Sequence, residues 1–178
     1  MGIIEIPLSR KKLILGIIGS FLFVISGVWL FTHSNDFHNI PFRIFRNPTV
    51  IKSAGIAGVL FFGSTGIYGI KKMFDKAIGL TIDENGITDN SNASSVGLIE
   101  WKDIVEIRTE QVMSTKFLLI FITNPDFYID KVKGIKKKLL LGNYKMYGTP
   151  ISITSNTLKF SFDDLEKLII DKLKEHKE

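Results

Sequence analysis

Apolar positions along the chain fall into two regimes. From Leu13 to Phe31 (LILGIIGSFLFVISGVWLF) 19 residues run without a charge, and from Ser53 to Ile70 (SAGIAGVLFFGSTGIYGI) there are 18 more. Val50 and Ile51 extend the second run beyond Lys52. At 1.5 Å per residue the first run reaches about 28 Å, the thickness of a bilayer's hydrocarbon. The pattern predicts two transmembrane helices, over about residues 11–31 and 50–71, joined by an outer loop at 32–49. A secreted leader is disfavoured because the first apolar core is long and no small-residue cleavage site follows Phe31. A buried hairpin of a soluble protein is disfavoured because soluble helices seldom lack a polar face over five turns. Small residues at i, i+4 mark faces for close helix packing, Gly16 with Ser20 and Ala54 with Gly58.

After Lys72 the apolar positions shorten and alternate, as expected for antiparallel strands. Ala77 to Asp83 reads as a strand, Glu84-Asn85-Gly86 as a turn and Ile87 to Asp89 as its partner. Gly97 to Trp101 and Ile104 to Val112 follow; the latter is apolar on neither face throughout, which suggests a peripheral position. Lys116 to Thr123 (KFLLIFIT) is the candidate central strand. Asn124-Pro125-Asp126 opens a helix whose inward face is read as Tyr128, Ile129, Val132, Ile135 and Leu139. Ile151 to Thr154 and Leu158 to Phe160 read as a last strand or strand pair around Ser155-Asn156. Ser161 caps a final helix buried through Phe162, Leu165, Leu168, Ile169 and Leu173, with Lys174 to Glu178 expected to fray. The expected division is a membrane anchor over 1–73 and a soluble domain over 74–178. The short run Gly2 to Pro7 (GIIEIP) offers that domain a further strand.

Charge sharpens the topology. Of the net +5, residues 1–73 contribute +6 (8 Lys+Arg, 2 Asp+Glu) and residues 74–178 contribute −1 (15 against 16). The basic excess therefore belongs to the flanks of the apolar runs and not to a nucleic-acid-binding surface, so no nucleic acid is expected as a partner. Six basic residues (Arg10, Lys11, Lys12, Lys71, Lys72, Lys76) flank the outer ends of the pair, against Arg43, Arg46 and Lys52 in the loop. The bias predicts an integral protein of the cytoplasmic (inner) membrane with both termini cytoplasmic.

The order GLTIDENGITDN, then GLIEWKDIVEI with its Trp-x-Asp-Ile step, resembles bacterial pleckstrin-homology-like (PH-like) domains. The wider arrangement is similar to a group of bacterial membrane proteins of uncharacterised function with two transmembrane helices and a C-terminal PH-like domain. That arrangement comprises two membrane helices, this domain, an Asn-Pro-Asp-x-Tyr helix, Tyr147 to Pro150 and a Ser-Phe-Asp-Asp-Leu helix. The resemblance implies an α+β protein: a transmembrane hairpin, then a partly closed antiparallel sheet of seven strands with an inserted helix and a C-terminal helix plugging one end. It departs from the usual domain in the long insertion from Pro125 to Pro150, and it implies no catalytic residues.

Candidate chemistry is sparse. The absence of cysteine excludes disulfides, thiol nucleophiles and Cys-type zinc sites. No Walker loop, G-x-S-x-G or H-E-x-x-H occurs, so neither an enzyme, a cofactor nor a metal is expected. His33, Asp36 and His38 lie close together but lack a second cluster of ligands, and read better as a polar turn. Asp163 and Asp164 read as helix-start carboxylates, Trp101 and Asp103 as a core aromatic and a turn residue. The strongest feature is Lys131, Lys133, Lys136, Lys137 and Lys138, a candidate contact with anionic lipid headgroups, set against an ordinary solvated helix face. The expected function is a membrane-anchored, non-enzymatic binding or scaffolding module that meets a protein partner or anionic lipid. The alternative is a membrane-stress or immunity factor acting through the hairpin; an enzyme with an unrecognised site ranks third.

Overall fold

The computed structural model describes residues 2–37 and 41–177. His38, named above in the loop, lies outside the described residues. The chain forms two compact units, one of residues 10–75 and one in which residues 2–9 join residues 76–177.

The first unit is a helical hairpin of α1 (Arg10–Thr32) and α2 (Pro48–Met73). Both helices are long and apolar enough to cross a membrane. Their outer surface is apolar as well: Leu15, Phe21, Leu22, Leu60 and Phe61 are all exposed, which is costly in water and favourable in lipid. Asn47 caps α2 by accepting the Thr49 amide, and Pro48 occupies the first turn, where its missing N–H costs nothing. The tight contact lies at Gly27 and Gly55. A Cβ on Gly55 would fall 2.6 Å from the Gly27 carbonyl oxygen, and one on Gly27 would fall 2.9 Å from that of Gly55. Any larger residue at either position must push the helices apart. Further along, Ser20 and Thr65 hydroxyls meet at 3.2 Å, and Phe23 stacks on Phe62 at 4.2 Å. Of the packing residues expected from sequence, Ser20 takes part, but Gly16 and Gly58 face open space and Ala54 is exposed. Small residues occur on several faces of both helices, so spacing alone did not set which face turns inward. In the loop, Ser34–Phe37 and Arg43–Arg46 form 3-10 turns, with Phe42, Ile44 and Phe45 exposed.

The second unit holds two antiparallel sheets. In the first, β1 (Ile4–Ile6), β2 (Leu80–Ile82), β3 (Gly86–Asp89) and β4 (Gly97–Glu100) pair in chain order. In the second, β5 (Ile104–Val112), β6 (Thr115–Ile122) and β7 (Ile151–Ile153) do the same. β1 pairs with β2 through Ile4–Ile82, Glu5–Thr81 and Ile6–Leu80, so the N-terminal run does supply a strand. Among the described residues seven strands form two sheets and no closed barrel. A 3-10 turn at Trp101–Asp103 carries the chain from the first sheet to the second. As expected, β6 is central and β5 peripheral in its sheet. The mixed pattern of β5 is resolved by a bulge between Ile104 and Glu106, which lets Ile104 and Ile107 both reach the core although strict alternation separates them.

Both sheets share one core with the last helix, α5 (Phe162–Lys177). Leu80, Ile82, Ile87, Ile99, Leu118, Ile120, Ile153, Leu165 and Ile169 are fully buried there. Ser161 caps α5 reciprocally: its hydroxyl accepts the Asp164 amide at 3.1 Å and donates to the Asp164 carboxylate at 2.5 Å. Helix continues to Lys177 in place of the frayed tail expected, because Lys177 Nζ donates to the Val105 carbonyl at 2.9 Å and His176 stacks on Trp101 at 4.9 Å. Leu158 makes only an isolated bridge, with Leu8, so the expected strand at Leu158 to Phe160 does not form.

The insertion is two helices, not one: α3 (Pro125–Asp130) and α4 (Gly134–Tyr147). The break falls at Lys131–Lys133, and Gly134 takes a positive φ of 64° that other residues avoid. It resets the helical phase, so Leu140 is buried while Ile135 and Leu139 face solvent, a correction to the continuous inward face read from the sequence.

Candidate functional site

The insertion is held on the sheets by a small polar network. Asn124 accepts the Phe127 amide to start α3, and Pro125 sits in its first turn. This orients Tyr128, fully buried, so that its hydroxyl donates to Asp103 Oδ2 at 2.7 Å and accepts the Glu100 amide at 3.3 Å. Burial, reinforced by the bond to Asp103, pushes the Tyr128 phenol well above its ordinary value. Trp101 Nε1 donates to the Asp83 carbonyl at 2.9 Å. The Trp-x-Asp step thus ties the first sheet, the 3-10 turn and α3 together, which is a structural role for both residues. α4 is fixed in turn by Asn143, whose amide donates to Pro150 O (3.2 Å) and Ser152 Oγ (3.1 Å), and ends at Gly148 in the left-handed conformation.

The candidate lysines follow this frame. Lys131 closes α3 with its ammonium over the rings of Phe127 (4.2 Å) and Tyr128 (4.6 Å). Lys137 reaches back to Asp130 at 2.7 Å. Lys133 precedes α4, and Lys136 and Lys138 lie in its first turns; among the described residues none of these three has an acidic partner. Lysines near a helix N-terminus oppose the helix dipole, so the local electrostatics favour an outside anion that offsets them. Lys145, which sequence reasoning did not include, adds a fourth positive charge to a helix with no acidic residue. The signal for it was its spacing, seven residues beyond Lys138, two turns along the same face.

A second feature is a cleft of about 450 Å³ lined by Glu84, Glu100, Trp101, Lys102, His176 and Lys177, among others. Lys102 pairs with Glu100 at 2.7 Å, which balances those two charges, and Lys177 donates to the Val105 carbonyl. In the loop of the hairpin, His33 stacks on Trp29 at 5.2 Å and bonds the Thr32 hydroxyl at 2.9 Å. Searches of family models, of curated proteins and of solved structures find no match to this chain.

Proposed function

We propose that the protein is a membrane-anchored, non-enzymatic binding or scaffolding module, with its sheet unit of PH-like kinship held at the inner face of the cytoplasmic membrane. The observation that carries this reading is the pairing of β1 with β2. β1 precedes α1 and β2 follows α2, so the chain leaves one sheet, runs through two membrane-length helices and returns to the same sheet. An even number of crossings is what that closure requires, and the lysines at 11, 12, 71 and 72 favour the cytoplasmic side. Seven strands and a terminal helix on the core support the kinship. Only Pro7–Ser9 separate β1 from α1 and residues 74–79 separate α2 from β2, so both connections between the sheet and the helices are short.

On this reading the lysines of the insertion meet anionic headgroups, each worth on the order of 1 kcal/mol near the surface. Amide hydrogen exchange of the full chain in lipid nanodiscs tests it. Exchange across α4 is expected to slow in discs containing phosphatidylglycerol relative to phosphatidylcholine alone, and to recover at high salt. Replacing Lys131, Lys133, Lys136, Lys137 and Lys138 by Gln should abolish the difference. Equal exchange in both discs at low salt removes lipid from the reading and leaves a protein partner.

A further inference from the structure

Lys138 and Lys145 share their exposed side of α4 with apolar residues that the fold leaves uncovered. At 100° per residue, Ile135, Leu139, Gly142 and Met146 form one stripe along the helix. Ile135 is 77 % exposed, Met146 72 % and Leu139 41 %. Lys138 and Lys145, both exposed, run along one border of the stripe. Leu140 and the bonds of Asn143 hold the helix in this phase, so the stripe is a fixed feature of the folded unit. A short helix with an apolar stripe bordered by lysines is suited to lie in a membrane–water interface, its apolar side chains buried roughly 5–10 Å and its ammonium groups at the phosphates. Lysine stems are long and apolar enough to reach the headgroups from such a position.

The charge decides between a bilayer and another surface. Lys138 and Lys145 beside the stripe, on a helix that itself has no acidic residue, complement an anionic surface, and the same chain carries two apolar helices of membrane length on short connections. We infer that α4 lies in the plane of an anionic bilayer surface, with Ile135, Leu139 and Met146 inserted at the level of the upper acyl chains. This inference rests on the membrane-anchored reading above and names how the sheet unit meets the lipid.

Because the chain has no cysteine, single substitutions can each carry one fluorophore in the full-length protein. Leu22→Cys, Glu110→Cys, Ile135→Cys and Met146→Cys are reconstituted in phosphatidylcholine vesicles with and without phosphatidylglycerol, and quenched by lipids spin-labelled near the top of, or deep within, the acyl chain. The shallow label is expected to lower emission at positions 135 and 146 by about twofold when phosphatidylglycerol is present, and less without it. Position 110 stays bright, and position 22 is quenched by the deep label. Quenching at 22 with none at 135 and 146 overturns the interfacial placement while the anchored reading stands. Quenching at 110 equal to that at 135 overturns it too, and no quenching at 22 overturns both.

Discussion

Leu165→Ala is expected to destabilise the sheet unit by about 2–5 kcal/mol, the usual cost of truncating a fully enclosed leucine. Leu165 is entirely buried where α5 meets both sheets, so the lost methyl groups leave a cavity lined by strands that cannot collapse onto it. For a unit of this size each kcal/mol lowers the melting temperature by about 4–8 °C, so the change is large. Thermal unfolding of the full chain in detergent, followed through far-ultraviolet circular dichroism, measures it. Ile135→Ala is the matched control: its side chain is exposed, and its loss should change stability by no more than about 0.5 kcal/mol. If the two variants melt alike, the assignment of α5 to the core and of the α4 stripe to the outside is wrong.

Tyr128→Phe is the second large effect. Removing the hydroxyl leaves the Asp103 carboxylate and the Glu100 amide without their partner, at a cost of about 1–3 kcal/mol. The loss has a pH signature. The native phenol is held neutral by burial and by its bond to Asp103, whereas in the unfolded chain it ionises near the ordinary value of about 10. Below that pH both states carry the proton and the full stabilisation is present. Above it the unfolded state alone loses the proton, so the stabilisation drains away as pH rises toward the native value. Urea denaturation between neutral pH and the alkaline range should show the two proteins converging above pH about 10. A constant gap across that range would mean that Tyr128 ionises as easily folded as unfolded.

Most of the large features were legible from residue patterns. A charge-free stretch of helical length leaves few alternatives, so Leu13 to Phe31 and Ser53 to Ile70 foretell α1 and α2 directly. Asn85-Gly86 between alternating runs marks the β2–β3 hairpin, and KFLLIFIT marks the central strand. What was missed depends on phase and on distant contacts. Gly27 and Gly55 are no more conspicuous in sequence than Gly16 and Gly58; only the rotation of one helix against the other selects them. The bulge after Ile104 and the break before Gly134 each shift an apolar pattern by a fraction of a turn or a single residue, too little for periodicity to register. The last turn of α5 lacks apolar residues and reads as fraying, but Trp101 and the Val105 carbonyl hold it from more than 70 positions away. The candidate site was half visible. Composition revealed its lysines, whereas the apolar stripe beside them emerged only once Gly134 had reset the helix and turned Leu140 inward in place of Leu139.

The central claim is that residues on either side of the helical hairpin lie together on the cytoplasmic side of a membrane. Ile3→Cys, Ile44→Cys and Lys174→Cys, each expressed in the cysteine-free chain, test it with a membrane-impermeant maleimide applied to intact cells and to lysed ones. The account predicts labelling of position 44 in intact cells, and of positions 3 and 174 only after lysis. Labelling of 3 and 174 on opposite sides, or of all three positions together in intact cells, would contradict it.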